Sequence, residues 1–228
     1  MRSEKADKLI YRHEQKYLID ARQEAILKLR AETAMMPDPH AGAQGSYEIS
    51  SLYFDDLNDS CFFDTKDGIG NRAKYRIRIY NGDDAFIRME KKIKHGEMTA
   101  KKSVRISRDE CLGLMEGRFP ESESGFFEEM RQAGVMPKVI VSYERIPYVY
   151  PAGNVRITFD RGIESSASVK DFLEGSKARR CVLPVGATVM ELKWDGLLPG
   201  HITDIFQLER IGRTNFSKYC MCRQYGLV

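Results

Sequence analysis

Two neighbouring stretches of the chain alternate cationic and apolar residues with a period of two, and this pattern constrains the fold more than any other feature. The stretches cover residues 74–79 and 86–92. Because alternate residues of a β-strand point to the same face, Lys74, Arg76 and Arg78 share one face and the apolar residues between them share the other. The sequence therefore predicts a β-sheet with one positively charged face.

The same alternation returns in strand-like segments across the whole chain. If these segments belong to one sheet, eleven cations share a face: Arg12, Lys16, Lys74, Arg76, Arg78, Arg88, Lys92, Arg145, Arg156, Lys193 and Lys218. Only Glu14, Glu90 and Glu191 would balance them. An ordinary antiparallel sheet with its charged face in water is the alternative. Such a face normally mixes both signs, since like charges on neighbouring strands repel, so the excess of cations favours a surface that binds polyanions.

The composition favours one domain that spans residues 1–228. The chain has 228 residues with 42% hydrophobic content, and no linker, low-complexity run or internal repeat divides it. The formal net charge of +3 is too small for a general nucleic-acid coat, so a basic site must be local. A charged amino terminus and no apolar run of about 18 residues predict neither a signal peptide nor a membrane span. We therefore expect a cytoplasmic protein without a nucleic-acid partner.

Motifs for several other chemistries are missing from the sequence. The five cysteines lack metal-ligand spacing, and Cys220 and Cys222 have no second Cys or His pair to complete a zinc site. No phosphate-binding glycine loop or dinucleotide fingerprint is present. The isolated histidines are interpreted as structural or surface residues: His13, His40, His95 and His201.

Turn and capping signals divide the chain into strands and helices. Asn81-Gly82 between two strong strands predicts a hairpin, and Asp20 with Gln23 and Ser107 with Glu110 predict helix starts. The predicted strands cover residues 9–19, 47–54, 72–80, 85–93, 99–107, 139–148, 155–160 and 188–194. The predicted helices cover residues 20–36, 107–117, 125–133 and 199–211, and residues 55–65 are expected to form a loop with a short helical segment.

About eight antiparallel strands can close into a barrel that is wide enough for a small ligand. A barrel with a cationic inner face must cover its apolar outer face with helices, and helical segments are interspersed among the strands. The predicted fold class is therefore α+β, a closed antiparallel β-barrel tunnel with a basic polar lumen and helices packed outside. Several like charges removed from bulk water need an anion, so the predicted ligand is a linear polyphosphate or a nucleoside triphosphate.

Eight short motifs are spaced along nearly the entire chain: Glu14-x-Lys16, Ser51-Leu52-Tyr53-Phe54-Asp55, Tyr75-Arg76-Ile77-Arg78, Glu90-Lys91-Lys92, Tyr143-Glu144-Arg145, Val155-Arg156-Ile157-Thr158-Phe159-Asp160, Glu191-Leu192-Lys193 and Asn215-Phe216-Ser217-Lys218-Tyr219. In this order they resemble the catalytic domain of the vacuolar transporter chaperone (VTC) family. That family belongs to the triphosphate tunnel metalloenzymes. The resemblance implies an antiparallel β-tunnel that makes inorganic polyphosphate from ATP with a divalent metal, Mn²⁺ or Mg²⁺.

Carried over residue by residue, the resemblance implies seven catalytic cations that contact phosphate: Lys16, Arg76, Arg78, Lys92, Arg145, Arg156 and Lys218. The shared strand face adds Lys74, Arg88 and Lys193 as phosphate-binding candidates. Glu191 is the implied metal ligand, because an oxygen ligand can hold a hard cation that also bridges phosphate oxygens. Glu14 and Glu90 are further metal candidates, with pairing to neighbours such as Lys16 and Lys92 as the alternative.

The sequence departs from related tunnel hydrolases at its first motif. The adenylate cyclase and thiamine-triphosphatase branch has Glu-x-Glu-x-Lys, whereas residues 12–16 read Arg-His-Glu-Gln-Lys. Hydrolysis needs a water that is held and deprotonated, while a polymerase attacks with a terminal phosphate that is already anionic. The lost carboxylate therefore favours phosphoryl transfer, although a metal-bound water remains an alternative for a hydrolase.

The leading hypothesis is a polyphosphate polymerase that transfers the γ-phosphoryl group of ATP to a growing polyphosphate chain. The alternatives are a tunnel hydrolase that cleaves tripolyphosphate or a nucleoside triphosphate, and a polyphosphate-binding module without turnover. Tyr53 and Tyr143 share the predicted inner face, and either ring is a candidate to stack on adenine.

Overall fold

A closed β-barrel forms the centre of the computed structural model, which describes residues 9–121, 125–175, 178–207 and 211–224. The strands are β1 (Arg12–Ile19), β2 (Met36–Pro37), β3 (Tyr47–Asp55), β4 (Asn71–Tyr80), β5 (Asp83–His95), β6 (Met98–Ile106), β7 (Met136–Tyr150), β8 (Val155–Ser166), β9 (Arg180–Cys181) and β10 (Thr188–Trp194). The helices are α1 (Ala21–Ala34), α2 (Ser60–Lys66), α3 (Arg108–Met115), α4 (Phe126–Gln132), α5 (Gly200–Ile205) and α6 (Lys218–Gln224).

All strand pairings are antiparallel, and their order closes the sheet. The order is β2-β7-β3-β4-β5-β6-β1-β10-β8-β9, and β7 also pairs with β8. That last pairing joins eight strands into a barrel, with the two-residue strands β2 and β9 attached outside the ring. The predicted α+β fold, a closed antiparallel barrel with helices outside, is confirmed.

The apolar outer face of the barrel is buried under helices. Ile77 and Met89 are fully buried against residues of α3 and α4, such as Leu114. On the opposite part of the ring, Phe159 packs against Leu27 of α1. Complete burial of one such side chain stabilises the fold by about 1.5–3 kcal/mol. Because alternate residues of a strand face opposite ways, burial of the apolar side chains on the outside places the polar ones inside the barrel.

The local signals for the hairpin and for two helix starts are confirmed. Asn81 and Gly82 have φ values of 51° and 68°, as the tight turn between β4 and β5 requires. Asp20 caps α1 and Ser107 caps α3, each with a reciprocal side-chain bond from the third residue of its helix.

The prediction for the last helix was wrong in two respects. Helix α5 begins after Pro199, as predicted, but ends at Ile205, and α6 was not predicted. The start of α6 has a capping signal that is visible in the sequence, because the Ser217 hydroxyl accepts a bond from the Cys220 amide at 3.3 Å. Within the described ranges, no helix is long and apolar enough to cross a membrane.

Candidate functional site

A cavity of about 1520 Å³ lies inside the barrel. It is lined by all ten predicted phosphate-binding residues: Lys16, Lys74, Arg76, Arg78, Arg88, Lys92, Arg145, Arg156, Lys193 and Lys218. Glu14 and Glu191 line it too, whereas Glu90 lies behind the lining with no exposed surface. Six strands and α6 thus bring residues that are distant in sequence to one site.

The inward-facing side chains of β4, β5 and β6 form one side of the cavity, which we call the cationic wall. Three rows cross these strands: Arg78, Arg88 and Arg105; Arg76, Glu90 and Ser103; and Lys74, Lys92 and Lys101. Directly opposed like charges destabilise neighbouring strands. The arginine row is therefore electrostatically unfavourable until an anion lies against it. In the lysine row, Lys92 and Lys101 pair with Glu14 and Glu90, and Lys74 is left without a carboxylate among the described residues.

Glu90 is the acid at the centre of the cationic wall. One carboxylate oxygen accepts from the Arg76 guanidinium at 2.7 and 2.8 Å, and the other lies 2.7 Å from the Lys101 ammonium. Burial would raise the Glu90 pKa, but Arg76, Arg78 and Lys101 hold that pKa below its usual range. Glu90 therefore stays ionised and fixes the direction of Arg76.

Hydroxyl groups on β3 and β7 hold Arg76 and Arg78 from the other side. The Arg78 Nε donates to Ser51 Oγ at 3.2 Å, and the Arg76 guanidinium donates to the Tyr53 hydroxyl at 3.0 Å. The Tyr143 hydroxyl accepts from Arg78 at 3.3 Å. Tyr53 and Tyr143 are only 7% and 4% exposed, so they orient arginines and present little ring surface to a base.

The inward-facing residues of β1, β10 and β8, with Arg145 of β7 and Lys218 of α6, form a second side, which we call the balanced wall. Glu14 lies opposite Lys193, and Lys16 lies opposite Glu191. The Lys16 Nζ is 3.2 Å from Glu14, and the Lys193 Nζ is 3.0 Å from Glu191. Each charge in this square therefore has neighbours of opposite sign.

Asp160 is an acid of the balanced wall that sequence reasoning did not count. It accepts two bonds from the Arg145 guanidinium at 2.6 and 2.7 Å and lies 2.6 Å from the Lys218 Nζ. Lys218 also reaches Glu191 at 2.9 Å. The signal was present in the sequence, because Asp160 alternates with Arg156 and is on the same strand face.

The carboxylates of the balanced wall are held ionised. Burial would raise the pKa of Glu191, but Lys193, Lys218 and Lys16 hold that pKa well below its usual range. The Glu14 pKa is lowered in the same way, against its burial, chiefly by Lys92 and Lys193. An ionised carboxylate is the form that ligates a hard cation.

Two of the ten predicted phosphate-binding residues have no carboxylate partner within the described residues. Arg88 donates to Ser103 Oγ at 3.2 Å, and Lys74 donates to Ser217 Oγ at 3.0 Å. Burial lowers the pKa of Lys74 to about 7. Their charges are the ones that an incoming anion can neutralise without competition from an acid.

The segment before α6 adjoins one end of the cavity. A smaller cavity of about 130 Å³ shares Lys16 and Lys74 with the main one and reaches residues 213–217. The Phe216 carbonyl accepts from the Lys16 Nζ at 3.0 Å, and the Thr214 amide donates to the Lys16 carbonyl at 2.8 Å. The other end is lined by Tyr80 and Phe86, beside the β4–β5 turn.

Lys101 lines the cavity and was missed in the sequence. It belongs to the third strand of the β4–β5–β6 meander, where it alternates with Ser103 and Arg105. The strand itself was predicted, so the same parity argument that identified Arg76 and Arg88 would have identified Lys101.

The donor set restricts how a metal ion could be held. Within the described ranges, no three His, Cys, Asp or Glu side chains converge to hold one. Glu14 and Glu191 lie on two sides of the Lys193 Nζ, at 3.6 and 3.0 Å. Two carboxylates suit a hard cation that completes its coordination with phosphate oxygens and water, as Mg²⁺ commonly does.

Comparisons with known proteins agree on family and fold. A family model for the VTC domain matches residues 11–226. A putative adenylate cyclase from Bacillus halodurans is similar at 17% identity, with a TM-score of 0.52 and 87% of each chain covered. A putative adenylyl cyclase from Hippeastrum, described as having a dominant triphosphatase activity, is 12% identical with a TM-score of 0.52 over 94% of this chain and 95% of that one. No curated protein matches the sequence.

Proposed function

Because the chain belongs to the VTC domain family, we propose that it is a polyphosphate polymerase, a phosphotransferase that moves the γ-phosphoryl group of ATP onto a polyphosphate chain in the barrel cavity. The observation that carries this proposal is the convergence of ten lysines and arginines on one cavity. Lysine and arginine side chains form strong charge-assisted hydrogen bonds to phosphate oxygens, so a chain of anionic phosphates fits this cavity.

The reaction needs little covalent chemistry from the protein. A terminal phosphate oxygen of the acceptor chain attacks the γ-phosphorus of ATP, and the bond from that phosphorus to the β-phosphate oxygen breaks, so that ADP leaves with the electron pair. Catalysis of such a step consists of alignment and charge neutralisation. Arg76 and Arg78, which Glu90, Ser51 and Tyr53 hold in place, would bind the phosphate oxygens in fixed directions.

The ion pairs of the balanced wall support transfer over hydrolysis. A general base that activates water works best with a pKa near the working pH. The pKa values of Glu14 and Glu191 lie well below the usual range of a glutamate, and therefore far from such a pH. An acceptor phosphate needs no such base. Lys16, Lys193 and Lys218 would instead position the acceptor, with their ammonium groups already ordered by the acids.

We propose Glu191, assisted by Glu14, as the protein ligand for a divalent cation, Mn²⁺ or Mg²⁺. Held by these two carboxylates, the cation would supply positive charge that offsets the charge developing on the phosphates during transfer. Glu90 is not included, because it has no exposed surface and does not line the cavity, whereas Glu14 and Glu191 do.

Hydrolysis of tripolyphosphate or of a nucleoside triphosphate is the second candidate function. The Hippeastrum protein with the same fold is described as having a dominant triphosphatase activity. Incubation of the purified protein with ATP and Mn²⁺ separates the two activities. We expect long-chain polyphosphate with stoichiometric ADP, whereas free phosphate without chains would favour the hydrolase, and tight tripolyphosphate binding without turnover would favour a binding module.

Glu191→Gln tests the metal assignment within the same assay. We expect a loss of metal-dependent activity of about 100-fold or more, with tripolyphosphate binding retained, because the variant removes an oxyanion ligand but no phosphate-binding cation. Glu129→Gln is the matched control, since Glu129 pairs with Lys91 outside the cavity. Unchanged activity of Glu191→Gln would refute the assignment.

Arg76→Ala tests the cavity itself. Charge-assisted hydrogen bonds contribute about 1.5–3 kcal/mol each, so tripolyphosphate affinity should fall by about tenfold or more. Arg131→Ala, on the outer surface of α4, is the control because Arg131 pairs with Glu128 at the surface. Parent-like tripolyphosphate binding by Arg76→Ala would show that phosphate does not bind in the cavity.

A further inference from the structure

An exposed phenylalanine ring lies on the polar inner face of the barrel, at the end of the cationic wall beside the β4–β5 turn. Phe86 is 39% exposed and lines the cavity. It is on β5, where the alternate residues that follow it on the same face are Arg88, Glu90 and Lys92. A large apolar side chain at the head of a series of charged ones is the feature that the proposed phosphate chemistry leaves unexplained.

Two guanidinium groups surround this ring. The Arg88 guanidinium lies 5.0 Å from the centre of the Phe86 ring, and the Arg105 guanidinium lies 5.4 Å from it. Arg105 is fixed by a bond to the Ala85 carbonyl at 2.9 Å. Aromatic rings and arginine planes are the surfaces on which proteins stack nucleobases without reading their edges.

Positively charged side chains lie next to the ring, where the phosphates of a nucleotide would lie if its base stacked on Phe86. Arg88 lies opposite Arg78 on one side and Arg105 on the other, and no carboxylate of the described residues pairs with Arg88. The three like charges repel one another until an anion binds. Each step of two residues along β5 advances about 7 Å, so a base at Phe86 is followed by phosphates at Arg88 and then at Arg76.

We propose that Phe86, with Arg88 and Arg105, is the stacking platform for the base of a nucleoside triphosphate whose phosphates run inward along the cationic wall. The proposal rests on the proposed phosphotransferase function and adds the orientation of its donor. The donor enters base outward at the β4–β5 turn, and stacking without edge contacts predicts that purine nucleotides bind more tightly than pyrimidine ones.

The test compares a ligand that has a base with one that lacks it. Dissociation constants for ATP and tripolyphosphate are measured by calorimetry for the parent, Phe86→Ala and Phe86→Trp. We expect Phe86→Ala to weaken ATP binding by about tenfold and to leave tripolyphosphate binding within about twofold, while Phe86→Trp retains ATP affinity. Phe63→Ala is the matched control, because Phe63 is 49% exposed on α2 and does not line the cavity.

The possible results separate the platform from the proposed function. Equal weakening of both ligands by Phe86→Ala, or no weakening of ATP, would overturn the platform and show that the ring only packs the arginine side chains. A parent protein that binds tripolyphosphate but not ATP would also overturn it, while leaving phosphate binding intact. Binding of neither ligand by the parent would refute the proposed function together with the platform.

Discussion

The cationic wall and the balanced wall line the same cavity but arrange their charges in opposite ways. Across β4, β5 and β6, arginine lies beside arginine and lysine beside lysine, with Glu90 as the acid at the centre. Across β1 and β10, glutamate lies beside lysine in both directions. One wall is left with repulsion that a ligand can relieve, and the other is neutralised by the protein itself.

This difference separates stability from binding. A buried charge without a partner costs several kcal/mol, and a partner with good geometry offsets much of that cost. In the balanced wall, Glu14, Glu191 and Asp160 pair with the buried cations, so this wall can fold without a ligand. In the cationic wall, Arg88 and Lys74 have no carboxylate partner in the described part of the chain. Their charges are not neutralised when the protein folds, so they remain available to attract phosphate.

The largest expected effect is on stability, from Asp160→Asn in the balanced wall. The substitution leaves Arg145 and Lys218 buried without their shared carboxylate. Breaking such a buried pair costs about 3–5 kcal/mol. Urea unfolding should report a loss of that size in the free energy of unfolding.

Glu144→Gln serves as the control for Asp160→Asn. Glu144 pairs with Arg161 in an exposed ion pair at 2.7 Å, and exposed pairs contribute about 0–1 kcal/mol. If Asp160→Asn cost no more than Glu144→Gln, the balanced wall would not depend on its internal ion pairs and the contrast between the walls would fail.

The next effect should be on binding without a loss of stability, from Arg88→Gln in the cationic wall. Removing one of three opposed arginines relieves repulsion, so the melting temperature without ligand should stay the same or rise. Tripolyphosphate affinity should fall by about tenfold or more, because a charge-assisted bond is lost. Thermal unfolding with and without tripolyphosphate measures both quantities, and a destabilised variant with normal affinity would reverse the roles of the two walls.

Sequence alternation was sufficient to predict the barrel and the strand cations that were proposed to line its cavity, although Lys101 was missed. Period-two patterns assign a residue to a face regardless of which strands are neighbours, so Arg76, Arg88 and Lys193 could be placed without knowledge of the topology. Local capping signals likewise predicted the starts of α1 and α3.

The pairing of charges could not be predicted in this way. Which charge lies opposite which depends on register between strands that are distant in sequence, as for Glu14 and Lys193. The partners of Asp160 come from β7 and from α6, and α6 was not predicted. The parity of a strand places charges on a face, whereas tertiary contacts decide which of them remain available to a ligand.

The smallest expected effect is on proton uptake. We expect Lys74, at the inner end of the cationic wall, to take up as much as one proton when phosphate binds. Burial lowers its pKa to about 7, and a bound phosphate would raise that pKa by favouring the charged form. At pH 8 the free amine is mostly neutral, so binding of tripolyphosphate must take up a proton. Affinity should therefore fall as the pH rises through 7.

Calorimetry at pH 8 in two buffers with different ionisation enthalpies measures this uptake. Lys74→Gln should lower it and flatten the pH dependence above pH 7, while Lys66→Gln on the outer helix α2 should leave both unchanged. Some uptake should remain in Lys74→Gln, because burial also lowers the pKa of Lys92 to about 7. Full uptake in Lys74→Gln would mean that the proton is taken up elsewhere, such as at Lys92, and that bound phosphate does not reach Lys74.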